Sequence, residues 1–202
     1  MLPMNHSMPR PQSPKPWRGF TLVELMVTLT VLAILLSLAA PSFSTLVASN
    51  RITTEANELI GTLNLTRAEA IRRAQAVTMR SDNNDNYAKG WHVFPDGDVT
   101  DGAPANPATG TDGQTLRVAS AFSGTATITR VTRSAPPAPF TYTTTTATDR
   151  MYVTFTSRGA INATAAAFFR ICDPSNPTVK GRIVQVNVVG KITLDDTNAT
   201  CS

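Results

Sequence analysis

The sequence predicts an α+β protein in which a long N-terminal helix packs on a C-terminal antiparallel β-sheet head. Three observations lead to this prediction. An apolar run without any charge extends from residue 25 to residue 50, and an apolar stripe with helical spacing follows it. The rest of the chain alternates turn sequences with short runs rich in β-branched and aromatic residues. Hydrophobic residues make up 42% of the chain, which is enough for one modest core.

The helix is predicted to cross a membrane in its first half. About 20 apolar helical residues span the hydrocarbon layer of a bilayer, so we expect a transmembrane segment over residues 20–47. Residues 1–19 form a short leader with three basic residues and no acid. Because positive charge stays on the cytoplasmic side, the C-terminal part is expected outside the cytoplasm.

Glu24 stands close to the start of this apolar run. An acid in a membrane helix costs a few kcal/mol unless it is paired, so Glu24 is expected to have a function and a partner. The alternative is an ordinary secretory signal that is cut after Ser37-Leu38-Ala39 and releases a soluble β domain. That alternative leaves Glu24 unexplained.

The segment Gly19-Phe20-Thr21-Leu22-Val23-Glu24-Leu25 resembles the prepilin cleavage and N-methylation motif of the type IV pilin superfamily. The resemblance implies that a prepilin peptidase cuts between Gly19 and Phe20 and that the new amine of Phe20 is methylated. It also implies that Glu24 pairs with the N-terminal amine of an adjacent subunit inside the bilayer. Pro41 stands where many pilins have a proline that kinks the helix.

The second half of the helix is predicted from the apolar stripe, which continues beyond Pro41 as far as Val77 with one gap around Arg67. The spacing predicts one helix from Phe20 to about Val77. Its amphipathic half, residues 48–82, is then periplasmic. The charged residues of this half are expected on the face opposite the stripe: Glu55, Glu58, Arg67, Glu69, Arg72 and Arg73.

Residues 83–202 are the predicted β head, and the pilin-like fold is the architecture that the N-terminal motif implies for the whole chain. Two segments rich in proline, glycine and polar residues, 96–114 and 134–139, are expected to be surface loops. The last two strands meet at Val189-Gly190 and form a terminal hairpin. Strands are predicted near residues 91–94, 115–119, 126–133, 151–156, 165–172, 182–188 and 191–194.

Two cysteines, Cys172 and Cys201, lie in the part expected outside the cytoplasm. In an oxidising compartment an even pair usually forms a disulfide, which here would tie the C-terminal tail to a strand. Two free thiols are the alternative. Neither a metal nor a cofactor is expected, since His6 lies in the leader and His92 stands alone.

Several blocks of the head are similar to the GspH/FimT group, the H-type pseudopilins and related minor pilins. The similarity implies a subunit that initiates or caps a type IV pilus or a type II secretion pseudopilus. Its expected partners are other pilins or pseudopilins, the prepilin peptidase and the assembly platform of the bacterial inner membrane. The blocks are Gly90–Phe94, Thr115–Arg117, Val153–Gly159 and Gly181–Val186.

A DNA-binding minor pilin for natural transformation is an alternative function. The family subset associated with DNA uptake has a C-terminal Gly-Arg-x-Arg motif, whereas this chain has Gly190-Lys191-Ile192-Thr193. A solvated rim of the terminal hairpin is the favoured interpretation of Lys180, Arg182 and Lys191; in the alternative, the three gather near one end of the hairpin and contact phosphates. Without the leader, 15 basic residues face 14 acidic ones, so net charge provides no strong attraction to DNA.

No enzymatic motif is found in the sequence. It has neither Gly-x-Ser-x-Gly nor a phosphate-binding loop. His92, between Trp91 and Val93, is expected to be structural. Asp96, Asp98 and Asp101 only loosely resemble a calcium loop, so an ordinary acidic turn is favoured there. Assembly, not catalysis, is therefore the predicted function.

Overall fold

The computed structural model describes residues 19–82, 86–96, 115–122, 124–134, 142–144, 152–195 and 201. The chain divides into two compact units, Met1–Ser42 and Phe43–Ser202. The second unit contains the part of the helix beyond residue 42 together with all the described strands.

Helix α1 extends over Leu22–Arg73 and includes Pro41. It ends where Ala74 adopts a positive φ of 53°. The amide of Gln75 donates to the Ala70 carbonyl at 3.3 Å, and the amide of Ala74 donates to the Ile71 carbonyl at 3.2 Å. This pair of bonds is a Schellman motif, which closes a helix by satisfying its last carbonyls.

The helix therefore ends before the predicted position near Val77, and a strand begins there instead. Val77 begins strand β1, Val77–Ser81, so the proposed helical segment 48–82 is helical only as far as Arg73. Val77 continues the three-and-four spacing by coincidence. It is fully buried, but in the sheet.

Nine described strands form two antiparallel sheets. One sheet has the order β3-β2-β1-β6 and the other the order β5-β4-β7-β8-β9. A short 3₁₀ helix, Tyr87–Lys89, connects β1 to β2. The remaining strands are β2 (Gly90–Pro95), β3 (Arg117–Ser120), β4 (Thr127–Arg133), β5 (Tyr142–Thr144), β6 (Tyr152–Phe155), β7 (Ala167–Cys172), β8 (Arg182–Val186) and β9 (Ile192–Asp195).

The seven predicted strands are confirmed with end shifts of a few residues, and the α+β class is confirmed as well. Strands β1 and β5 were missed. The terminal hairpin is present, with Val186 of β8 paired to Ile192 of β9. Of the predicted loops, residues 97–114 and 135–139 lie outside the described residues.

The larger of two hydrophobic clusters among the described residues joins the second half of α1 to strands of both sheets. Tyr87 and Phe169 meet edge to face with their ring centroids 5.2 Å apart. Ile71 was predicted in the apolar stripe but is 50% exposed. The stripe that α1 does bury consists of Ala48, Ile52, Ala56, Leu59, Leu63 and Ala70.

Candidate functional site

The N-terminal motif begins just before α1. The side-chain oxygen of Thr21 accepts a hydrogen bond from the Glu24 amide at 3.2 Å, and its carbonyl accepts one from the Leu25 amide at 3.1 Å. Thr21 is therefore the N-cap of the helix, and Thr21-Leu22-Val23-Glu24 has the sequence of a capping box. This cap was missed by the sequence prediction, although Thr-x-x-Glu before an apolar run is its signal.

Glu24 lies in the first turn of α1, where the helix dipole favours an acid. Its place in the first turn thus gives Glu24 a stabilising role at the start of the helix, in addition to the predicted assembly role. Phe20 is 83% exposed, and every described side chain from Gly19 to Ser37 is exposed. Both Phe20 and Glu24 are therefore accessible to a partner.

Gly19 has no structural reason to be glycine in the folded chain. A Cβ built at this position meets no atom of the described residues within 4 Å. By contrast, Gly159 and Gly190 have positive φ angles and close neighbours. The fold therefore accepts a side chain at Gly19, and a requirement for glycine there has to come from another molecule.

In the part of the chain that the structure describes, no helix combines the length and hydrophobicity needed to cross a membrane. The predicted transmembrane segment 20–47 stays a prediction. The kink predicted at Pro41 also stays a prediction, because the secondary structure shows only that α1 continues through this residue.

Arg67 fills the gap in the apolar stripe. Its Nε donates to the carbonyl oxygen of Gly159 at 2.9 Å, which ties α1 to the turn after β6. Arg67 was predicted to lie among the solvent-facing charges, and this prediction was wrong. Glu69 does lie on the charged face, where it bonds Arg72 at 2.6 Å and Arg73 at 2.9 Å.

Glu55 was also wrongly assigned to the exposed charged face. Glu55 is 2% exposed, and among the residues that the structure describes neither of its carboxylate oxygens has a hydrogen-bond partner. Burial raises the pKa of Glu55 from 4.5 to about 7, an effect that Arg51 opposes and that Asp173 and Glu58 reinforce. The sequence signal was its spacing: Glu55 follows Ile52 by three residues and precedes Leu59 by four, which places all three on one side of the helix.

Cys172 and Cys201 form a disulfide with a Cα–Cα distance of 5.5 Å, so the predicted pairing is confirmed. The bond attaches the C-terminal tail to the end of β7. Gly181 packs directly against it, because a Cβ there would lie 2.6 Å from Sγ of Cys201.

The three candidate DNA-contacting residues do not lie together in the structure. Arg182 begins β8 and pairs with Ile171, whereas Lys191 follows the turn at the other end of the hairpin. At about 3.3 Å per residue, β8 alone separates the two ends by about 13 Å. Lys180 precedes Arg182 and lies at that end. The alternative in which these three residues form one cationic cluster is therefore wrong.

The remaining candidates have structural partners. Nδ1 of His92 contacts the Asp82 carboxylate, and Asp96 is buried and accepts a hydrogen bond from Thr78 at 2.9 Å. Asp98 and Asp101 lie outside the described residues. Among the residues described, no group of three or more histidine, cysteine or acidic side chains is arranged to hold a metal.

Two family models match the chain. The model described as type II transport protein GspH matches residues 55–190, from the buried Glu55 to the terminal turn. The prokaryotic N-terminal methylation motif matches residues 18–40. The chain belongs to the GspH family. No curated protein matches it significantly.

The fold of this GspH family member is similar to that of a type IV minor pilin. Two crystal forms of FimU from Pseudomonas aeruginosa match with TM-scores of 0.55 and 0.52 and identities of 21% and 20%. The matches cover 76% and 74% of this chain, and 95% and 98% of FimU. At these identities the similarity demonstrates the pilin-like fold.

The GspH family and the N-terminal methylation motif together make this protein a minor pilin or pseudopilin of a type IV pilus or a type II secretion system. It is a membrane-anchored protein of the prepilin type that assembles with other pilins or pseudopilins. These are structural proteins of filaments.

Proposed function

We propose that this protein is cut between Gly19 and Phe20 by a prepilin peptidase, methylated on Phe20 and assembled at the initiating end or tip of a filament. The observation that carries the proposal is the exposed N-terminal motif with Gly19, which the fold does not require to be glycine. The match to the N-terminal methylation motif supports it.

In the proposed topology, residues 20–47 anchor the protein in the bacterial inner membrane by a single crossing, and the head lies in the periplasm. The uncharged run from residue 25 to residue 50 supports this topology, as does the basic leader. The assembly platform of the inner membrane then adds the subunit to a filament. The role is assembly and not catalysis.

Glu24 is proposed to pair with the amine of Phe20 in an adjacent subunit. Two opposite charges that are costly alone in lipid become tolerable together, so the pairing rewards the correct axial register. The exposure of both residues is compatible with such a contact.

Filament content of the Glu24→Ala variant tests this proposal. Sheared filaments from cells that make the wild-type chain should contain it, and the variant should be cleaved normally but depleted from filaments. Thr21→Ala is the matched control, because it removes the helix cap and leaves the carboxylate in place. Equal depletion of the two variants would assign Glu24 to capping and contradict the pairing. Normal incorporation of Glu24→Ala would do the same.

A further inference from the structure

The turn between β8 and β9 presents two valines at its tip. Asn187 and Gly190 provide the turn chemistry: the Gly190 amide donates to the Asn187 carbonyl at 2.8 Å, and Oδ1 of Asn187 accepts from the Lys191 amide at 2.7 Å. Val188 and Val189 occupy the two positions in between, where polar residues and glycine usually dominate. Their exposed fractions are 43% and 63%, so the core makes little use of either side chain.

A third exposed apolar residue lies beside this turn. A Cβ on Gly190 would lie 1.8 Å from the Gly159 carbonyl oxygen, and a Cβ on Gly159 would lie 2.7 Å from Cδ1 of Ile71. The backbones of the two turns are thus in contact, with Ile71 against one of them. We call Ile71, Val188 and Val189 the valine-turn patch.

The patch is held rigidly. Nε of Arg67 bonds the Gly159 carbonyl at 2.9 Å, and the amide of Ile161 bonds the Val188 carbonyl at 3.2 Å. Helix α1, the turn after β6 and the terminal hairpin are therefore joined at one point. A preorganised surface loses less conformational entropy when a partner binds.

The rim of the patch is cationic. Arg158 and Lys191 directly adjoin Gly159 and Gly190 in sequence, and both side chains are exposed. Within the described part of the chain, neither forms an ion pair, whereas Arg72 is held by Glu69. An apolar centre with two unpaired cations at its edge is complementary to an apolar surface with an acidic rim.

We propose that the valine-turn patch is the docking surface for a different pilin-like subunit of the same filament, one with an apolar contact face and an acidic rim. This inference rests on the proposed function. A second copy of this chain is a poor occupant in a symmetric contact, because each patch would place its cations against those of the other.

Site-specific photo-crosslinking tests the proposal in the full chain, in the cells that make it. A photoreactive residue at Val189 is expected to form an adduct with another protein that has an N-terminal methylation motif, identified by mass spectrometry. The same residue at Val118 is the control. Val118 is 58% exposed and apolar but belongs to β3 of the other sheet, so it should not form this adduct.

The double reversal Arg158→Glu with Lys191→Glu should reduce the adduct yield about tenfold, the size of a rim and hot-spot contribution of about 1.4 kcal/mol. Val188→Ser, with the crosslinker still at Val189, is a second variant that turn chemistry tolerates, and it should reduce the yield in the same direction. An adduct with a second copy of the chain, or a yield insensitive to both variants, would overturn the inference.

The amount of wild-type chain in filaments, measured in the same samples, distinguishes a wrong docking surface from a wrong proposed function. If the chain is present in filaments but forms no adduct at Val189, the docking surface is wrong and the proposed function remains. If the chain never enters filaments, the proposed function fails and the inference fails with it.

Discussion

Nε of Arg67 on helix α1 donates to the carbonyl oxygen of Gly159, 92 residues later in the chain, over 2.9 Å. The turn between β8 and β9 closes on the same carbonyl, since a Cβ on Gly190 would approach it to 1.8 Å. The hydrogen bond explains why the apolar stripe of the helix is interrupted by an arginine. It also makes the packing of helix, turn and hairpin depend on one glycine.

Gly190→Ala should destabilise the head by about 3 kcal/mol or more, because the new methyl group collides with the Gly159 carbonyl and φ at residue 190 is 80°. Thermal or urea unfolding of residues 43–202 measures the change. Gly61→Ala is the control: this exposed helix position has open space around it, and alanine should stabilise it by about 1 kcal/mol. Similar effects at the two positions would contradict the proposed contact.

Glu55 should make head stability depend on pH. Its pKa is about 7 in the folded chain and 4.5 without burial, so the folded state binds the proton more tightly. The contribution of Glu55 to stability is then most favourable below pH 4.5 and decreases as pH rises through the window from 4.5 to about 7. Glu55→Gln stays neutral, and at pH 8 it should be more stable than wild type by up to about 3 kcal/mol.

Glu58→Gln is the matched control for that measurement. The side chain of Glu58 is 35% exposed on the same helix, and its Oε1 lies 3.7 Å from a guanidinium nitrogen of Arg117. Such exposed ion pairs contribute little to the free energy of unfolding. When the free energy of unfolding is measured between pH 4 and pH 8, the values for Glu55→Gln and wild type should approach each other only at low pH. Parallel curves over the whole range would show that Glu55 has a partner or contacts water.

The fold could be predicted from the sequence where the hydrophobic periodicity extends over many residues. The prediction failed where a single residue interrupts the hydrophobic pattern. The helix, seven strands and the disulfide have strong local or compositional signals. The burial of Glu55 and the bond from Arg67 to Gly159 depend on which face meets which turn, and that is a tertiary property. Strand β1 was missed because Val77 continues the helical spacing by chance, while Ala74 ends the helix without the glycine that usually signals such an end.

Reduction of Cys172–Cys201 should lower the melting temperature of the head. The bond closes a loop with a sequence separation of 29, which by chain entropy contributes about 3 kcal/mol, or roughly 6–12 °C in a domain of this size. The double variant Cys172→Ser with Cys201→Ser is the control, and it should melt at the same temperature with and without reductant. A melting temperature of the wild-type head that reductant leaves unchanged would refute the stabilising role.

Gly19→Val should block processing and leave the fold intact. A Cβ at position 19 meets nothing within 4 Å in the described part of the chain, so any effect of valine is expected to arise in the enzyme that cuts the chain. Mass spectrometry should find wild-type protein that begins with methylated Phe20, and uncut variant that remains in the membrane fraction. A wild-type N-terminus at Ala40 would support the secretory-signal alternative, and efficient cutting of the variant would show that glycine is not required.

DNA binding by the head should be absent or insensitive to salt. Lys180 and Arg182 lie about 13 Å or more from Lys191, at opposite ends of the hairpin, so they form no shared phosphate site. The expected test is duplex-DNA binding by residues 43–202 across a range of salt concentrations, with a variant in which all three residues are alanine. A real site would lose affinity steeply with salt, and the triple variant would reduce the slope of log affinity against log salt by about three charges.

Arg158→Ala removes one exposed cation outside this set and should change that slope by no more than about one charge. Steep salt dependence that disappears only in the triple variant would revive the uptake hypothesis, in spite of the separation of these residues and of Thr193 in place of the second arginine.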